Sequence, residues 1–149
     1  MGKLKLAKEN ITKALNKLHE ALEHFEELKS MGKKQASVFM DNKELEESLR
    51  DSLIQRFEFC VDLFWKYLKK YEEEELGLTL QANAPRPIVT TACKAKIISE
   101  ADGELLLEMI KSRNFTSHIY KEEIADQISM QIPEYYTVMR KYIDQLKIK

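Results

Sequence analysis

The sequence predicts an all-α protein, an antiparallel helical bundle of four to five main helices. Two observations carry this expectation. The glycines and prolines (Gly2, Gly32, Gly77, Pro85, Pro87, Gly103 and Pro133) punctuate long stretches that contain neither residue, and both are unfavourable in helix interiors. Within those stretches apolar residues recur at steps of three and four, the period of one helix face. Alternating or valine-rich runs long enough for a strand are absent.

The first stretch runs from about Lys3 to Lys29. Leu4, Ala7, Ile11, Leu15, Leu18, Leu22 and Phe25 share one face, lysines and glutamates fill the other, and Gly32 follows as a stop. The second runs from about Asn42 to Leu76. Asn42 is a candidate cap. Its stripe of Leu45, Leu49, Leu53, Phe57, Val61, Phe64, Leu68 and Tyr71 is widened by Ile54, Phe59, Trp65 and Tyr67. Such broad apolar coverage marks the central helix of a bundle, with the aromatic residues assigned to the core rather than to a stacking platform. Glu72 to Glu75 reads as a solvated helix end.

Gly77 to Pro87 reads as a linker, with Pro87 opening a third helix that carries Ile88, Ala92, Ala95 and Ile98. Asp102 is a candidate cap for a fourth helix through Leu105, Leu106, Met109 and Ile110. The pattern falters from Arg113 to Tyr120, resumes from Glu122 to Ile132, stops at Pro133, and returns as a last helix from Glu134 to Leu146. The whole, residues 1–149, is expected to form one domain.

Composition narrows the function classes. Lysine and arginine number 24 against 25 acidic residues, a formal net charge of −1, so bulk charge attracts no polyanion. Any nucleic-acid contact must come from a local cluster or from two clusters joined in a dimer. Cys60 and Cys93 have no CxxC partner and read as free thiols in a reducing compartment. No signal-peptide core, myristoylation signal or membrane-spanning run is present, and cytoplasm is the expected location. Glycine-rich phosphate loops and HExxH arrangements are missing, so neither a metal nor a cofactor is expected. His19 and His24, five apart on the first helix, do not share a face as a ligand pair would, and Arg56 and Glu58 suggest structural ion pairing.

The segment Ser112 to Tyr120 concentrates chemistry. Arg113 offers a planar two-pronged donor for a phosphate. His118 offers an imidazole, the side chain that exchanges protons near neutral pH. Asn114 can orient either, and Thr116, Ser117 and Tyr120 add hydroxyls. A guanidinium and an imidazole are the minimum for attack of an RNA 2′-hydroxyl on its own phosphate without a metal. The alternative is structural: Arg113 paired with a helix-end carbonyl or a glutamate, and His118 capping the next helix.

Three stretches together resemble the nucleotidyltransferase substrate-binding proteins, a branch of the HEPN superfamily. They are Asp51 to Phe59 leading to Trp65-Lys66, Pro87-Ile88 through Asp102-Gly103-Glu104-Leu105, and Arg113-Asn114 through His118-Ile119-Tyr120, an Arg-x4-His-x-Tyr pattern. Leu106 stands where relatives often carry tryptophan. The resemblance implies a helical bundle that forms a homodimer and a separate minimal nucleotidyltransferase as partner. In such pairs the helical chain is the binding subunit or the toxin of a toxin–antitoxin system. Active relatives cut RNA with the arginine and histidine, here Arg113 and His118, in a cleft shared by two subunits. The partner silences them by adding AMP to the tyrosine, here Tyr120.

Overall fold

The computed structural model describes residues 2–31 and 42–148, the side chains of Met31 and Asn42 excepted. Among the described residues there are five α-helices, one 3-10 turn and no strand. The helices are α1 (Gly2–Met31), α2 (Asn42–Glu74), α3 (Pro85–Lys94), α4 (Glu100–Asn114) and α5 (Glu122–Gln145), with the 3-10 turn Phe115–His118 between the last two. None of the described helices is long and apolar enough to cross a membrane.

Helices α1 and α2 pack along their length. The start of α1 shares a cavity wall with the end of α2, through Lys3 and Lys70. The middle of α1 meets the first half of α2, through Lys17 and Ser52, so the two run antiparallel. Helix α5 packs against α1, α2 and α4, and α3 against α2 and α4. The stripes read from the sequence converge on one core: Ile11, Leu15 and Leu18 of α1, Leu53, Phe57, Val61 and Phe64 of α2, and Ile132, Met139 and Ile143 of α5 are all buried. Leu106 of α4 is fully buried there without the bulk of an indole. Polar ties add register. Arg50, buried on α2, reaches Asp126 of α5 at 3.0 Å, and Lys141 of α5 binds Asp102 of α4 at 2.7 Å. Tyr142 also donates to Asp102. These donors hold the Asp102 carboxyl below the usual carboxylate range, the Lys141 hydrogen bond leading.

Several local expectations are corrected. Pro85, not Pro87, opens α3, after the extended residue Ala84. Helix α3 stops at Lys94, so Ala95 lies at its end and buried Ile98 lies beyond it. A hydrogen-bonded reversal follows, in which Lys96 takes a left-handed φ of 61° and the Ile97 amide donates to the Ala92 carbonyl. Ser99, not Asp102, caps α4: its hydroxyl accepts the Asp102 amide. Gly2 and Gly103 lie inside helices rather than between them. Pro133 does not divide the C-terminal region; α5 runs through it without a break. The two predicted caps near 32 and 42 concern Gly32 and the Asn42 side chain, which lie outside the described residues.

Two side chains depart from their expected environments. Phe59 is 62% exposed rather than part of the core. Glu72 is fully buried rather than solvated, with no hydrogen-bond partner on its carboxyl among the described residues, while Glu73 and Glu74 face outward. Gly77 completes the end of α2 with a left-handed φ of 66°, a conformation that costs glycine little.

Candidate functional site

Arg113 and Asn114 are the last two residues of α4, and the chain tightens directly into the 3-10 turn. The Phe115 amide serves the carbonyls at the end of α4. The buried Thr116 hydroxyl donates back to the Arg113 carbonyl at 2.8 Å. The Lys121 amide closes onto the His118 carbonyl at 3.0 Å before α5 begins. With Thr116 buried and Ile119 packed against the core, the intervening side chains are turned outward. Phe115, Ser117, His118 and Tyr120 are exposed, Tyr120 at 73%.

The site therefore has two parts. The outward part is aromatic and open: His118 meets Phe115 with ring centroids 6.3 Å apart, and meets Tyr120 edge-on at 6.0 Å. Asn114 is exposed at its edge. The inward part is Arg113, half-buried against α2. Its Nε and Nη2 donate to the two carboxylate oxygens of Asp62, at 3.2 and 3.1 Å. Its Nη1 lies 3.1 Å from Glu58 and donates to the Thr116 hydroxyl at 3.2 Å. The Asp62 hydrogen bond is the main reason the guanidinium is held above its ordinary pKa.

The structural reading of Arg113 is thus realised, with Asp62 as the forked partner and Glu58 as the second. The sequence identified Glu58 as an ion-pairing residue but not Asp62, and Arg56, expected to pair as well, has no salt bridge among the described residues. One turn apart on α2, Glu58 and Asp62 share a face, yet nothing in the sequence says which face of α2 meets the end of α4. Two carboxylates offset the charge that Arg113 can present to a phosphate, while they hold its plane in one orientation. An incoming phosphate must take the place of Glu58 or use the remaining N–H. Among the described residues no group of three or more histidine, cysteine, aspartate or glutamate side chains is disposed to hold a metal ion. Cys60 is buried, its thiol pushed up to about 12 by desolvation, and belongs to the core rather than to the site.

Among the described residues, five helices form a bundle that displays the Arg113–Tyr120 turn at the junction of the fourth and fifth. The chain belongs to the family described as nucleotidyltransferase substrate binding protein like, which matches residues 6–148. Three solved structures share the fold. A Thermus thermophilus protein is 27% identical, with 88% of this chain and 99% of that one covered at a TM-score of 0.64. A Haemophilus influenzae protein, described as revealing the fold of a substrate binding domain of a nucleotidyltransferase, is 24% identical over 89% of this chain and 98% of that one, with a TM-score of 0.66. A chain from a structure described as a toxin-antitoxin with AMP-PNP is 16% identical over 92% of this chain and 97% of that one, with a TM-score of 0.63. No curated sequence matches this chain.

Proposed function

We propose that this chain is the helical partner subunit of a two-component minimal nucleotidyltransferase system, engaged at the Arg113–Tyr120 surface and modified with AMP on Tyr120. The observation that carries the reading is the exposure of the Tyr120 phenol on a braced turn beside the His118 ring. For AMP transfer, the phenol oxygen must reach the α-phosphorus of ATP in line with the departing pyrophosphate. The new O–P bond forms as the bond to pyrophosphate breaks, and the phenolic proton passes to a base or to water. A buried phenol could not be approached in this way. His118, whose ring lies edge-on to Tyr120 at 6.0 Å between centroids, is the neighbouring imidazole and our candidate for that base.

Membership of the family supports a nucleotidyltransferase as partner. The neighbours described as a substrate binding domain of a nucleotidyltransferase and as a toxin-antitoxin with AMP-PNP are consistent with such a pair.

A second reading uses the same residues. As a metal-independent endoribonuclease, His118 would take the proton of an RNA 2′-hydroxyl. Arg113 would steady the phosphorane charge, with two copies of the chain lining one cleft. The bracing of Arg113 by Asp62 and Thr116 supports this reading, because the guanidinium keeps its orientation once a phosphate has taken the place of Glu58.

Co-expression with the product of the adjacent gene, expected to be a minimal nucleotidyltransferase, followed by intact-mass measurement, tests the first reading. The expected result is a co-purifying complex and a mass gain in multiples of AMP that Tyr120→Phe abolishes. A complex-free chain of unchanged mass would overturn it. RNA cleavage that persists in EDTA and disappears in both Arg113→Ala and His118→Ala is the outcome required of the second reading.

A further inference from the structure

The chain is almost neutral, yet one groove on it is strongly basic. Two cavities, of about 770 and 360 Å³, lie end to end between α1 and α2 and share Asn10 and Leu63 as lining residues. Lys13, Lys17, Arg56 and Arg113 line the first, and Lys3, Lys66, Lys69 and Lys70 line the second. Against these eight cations the lining contains three carboxylates, Glu58, Asp62 and Glu73. Two of the three are already committed to Arg113.

No salt bridge pairs any of the other seven cations with a carboxylate among the described residues, and Lys66 lies 5.9 Å from the Trp65 ring centroid. Seven ammonium and guanidinium groups held along one trough repel one another, an arrangement that a polyanion relieves.

The groove also carries apolar surface that a simple ion site does not need. Phe59, 62% exposed, lines the larger cavity beside Leu63 and Ala14. Leu6, 56% exposed, lines the smaller one. Basic residues that track a backbone, interleaved with an exposed ring and aliphatic surface, match the requirements of a single strand, whose bases are free to stack. A duplex keeps its bases paired and would leave Phe59 idle. From Lys3 to Lys17, α1 advances about 21 Å, a length suited to a strand of several nucleotides rather than to one small anion.

We infer that the α1–α2 groove is a binding track for single-stranded nucleic acid, running past Arg113, which lies against Glu58 and Asp62 in its α2 wall. Binding in the groove stands on its own observations; only the cutting of a bound strand rests on the ribonuclease reading.

The test is fluorescence anisotropy with a labelled single-stranded RNA of about a dozen nucleotides. It is run in the His118→Ala background so that cleavage cannot consume the probe. Saturable binding is expected, weakening about a hundredfold between roughly 50 and 200 mM salt if about five phosphates are neutralised. Lys13→Glu/Arg56→Glu and Lys66→Glu/Lys70→Glu should each weaken it at least tenfold. Phe59→Ala should cost about tenfold through lost stacking, and Lys94→Glu, exposed on α3 away from the groove, less than twofold.

The inference is overturned if no binding is seen, if the groove variants behave like Lys94→Glu, or if duplex RNA or tripolyphosphate binds as tightly as the single strand. A strand that binds wild-type protein without being cut leaves the groove in place and removes the ribonuclease reading. AMP addition to Tyr120 without strand binding does the reverse, sparing the partner reading and removing the groove.

Discussion

At the scale of single residues, Glu72 is the side chain whose environment departs furthest from its type. Its carboxyl is buried without a hydrogen-bond partner among the described residues, and desolvation, with a contribution from the charge of Glu73, raises its pKa to about 8. The ordinary value is 4.5. Between those two values the folded chain holds a proton that the unfolded chain releases, so this group's contribution to stability falls as pH rises through that window. Thermal melts at pH 5 and pH 8.5 should therefore show a drop for the wild type that Glu72→Gln reduces, because the amide has no proton to lose. Equal drops in the two proteins would assign the pH dependence elsewhere. Arg113 is the opposite case, a charge fully matched by Asp62 and Glu58. Its fork on Asp62 depends on a planar guanidinium, which lysine cannot reproduce.

At the scale of elements, the junctions decide the geometry. Helix α4 begins where Ser99 accepts the Asp102 amide, which leaves the Asp102 carboxylate free for Lys141 and Tyr142 of α5. One exposed serine thus permits an inter-helix tie. Gly103 allows a close approach of a different kind. A Cβ built there would lie 2.2 Å from the Cys93 Sγ at the end of α3. Gly103→Ala should therefore lower stability by about 1–2 kcal/mol, measured by denaturant unfolding. Cys93→Ala in the same chain should recover most of the loss by removing the atom in the way. A Gly103→Ala chain as stable as wild type would show that the thiol simply rotates aside. Pro133 illustrates how packing overrides a local rule. Its missing amide and its ring disfavour a helix interior by about 3 kcal/mol, yet Ile128, Ile132, Tyr135 and Met139 on either side are buried in the same core and keep α5 continuous.

At the scale of the molecule, charge is sorted in space without any bias in composition. The lysines of α1 and α2 are interspersed with acidic residues in sequence, but antiparallel packing brings a subset of both helices into one groove. Arg113, the first residue of the Arg113–Tyr120 segment, reaches the wall of that groove against Glu58 and Asp62. A composite cleft, as the ribonuclease reading requires, needs a second copy to supply the facing residues. Symmetric dimers are the commonest way to obtain one. Sedimentation velocity is expected to give a species of twice the chain mass at micromolar concentration. A monomer at every accessible concentration would confine the chemistry to one turn and remove the shared-cleft mechanism.

Fold class and most core positions were legible in the sequence because helix burial is periodic: Ile11, Leu15, Phe57, Val61, Met139 and Ile143 declare their faces by spacing alone, whereas the continuity of α5 through Pro133 was not. The Arg113–Tyr120 segment was legible as an interruption of that period, dense in polar chemistry. Only the tertiary structure decided the environments set by contacts between distant residues. It placed Asp62 and Glu58 on Arg113, buried Glu72, left Phe59 in the open and drew the lysines of two helices to the sides of one trough. The physical reason is one of range. Periodicity is a property of neighbours along the chain, whereas a carboxylate's partner, a ring's exposure and the sign of a groove depend on which helix lies opposite.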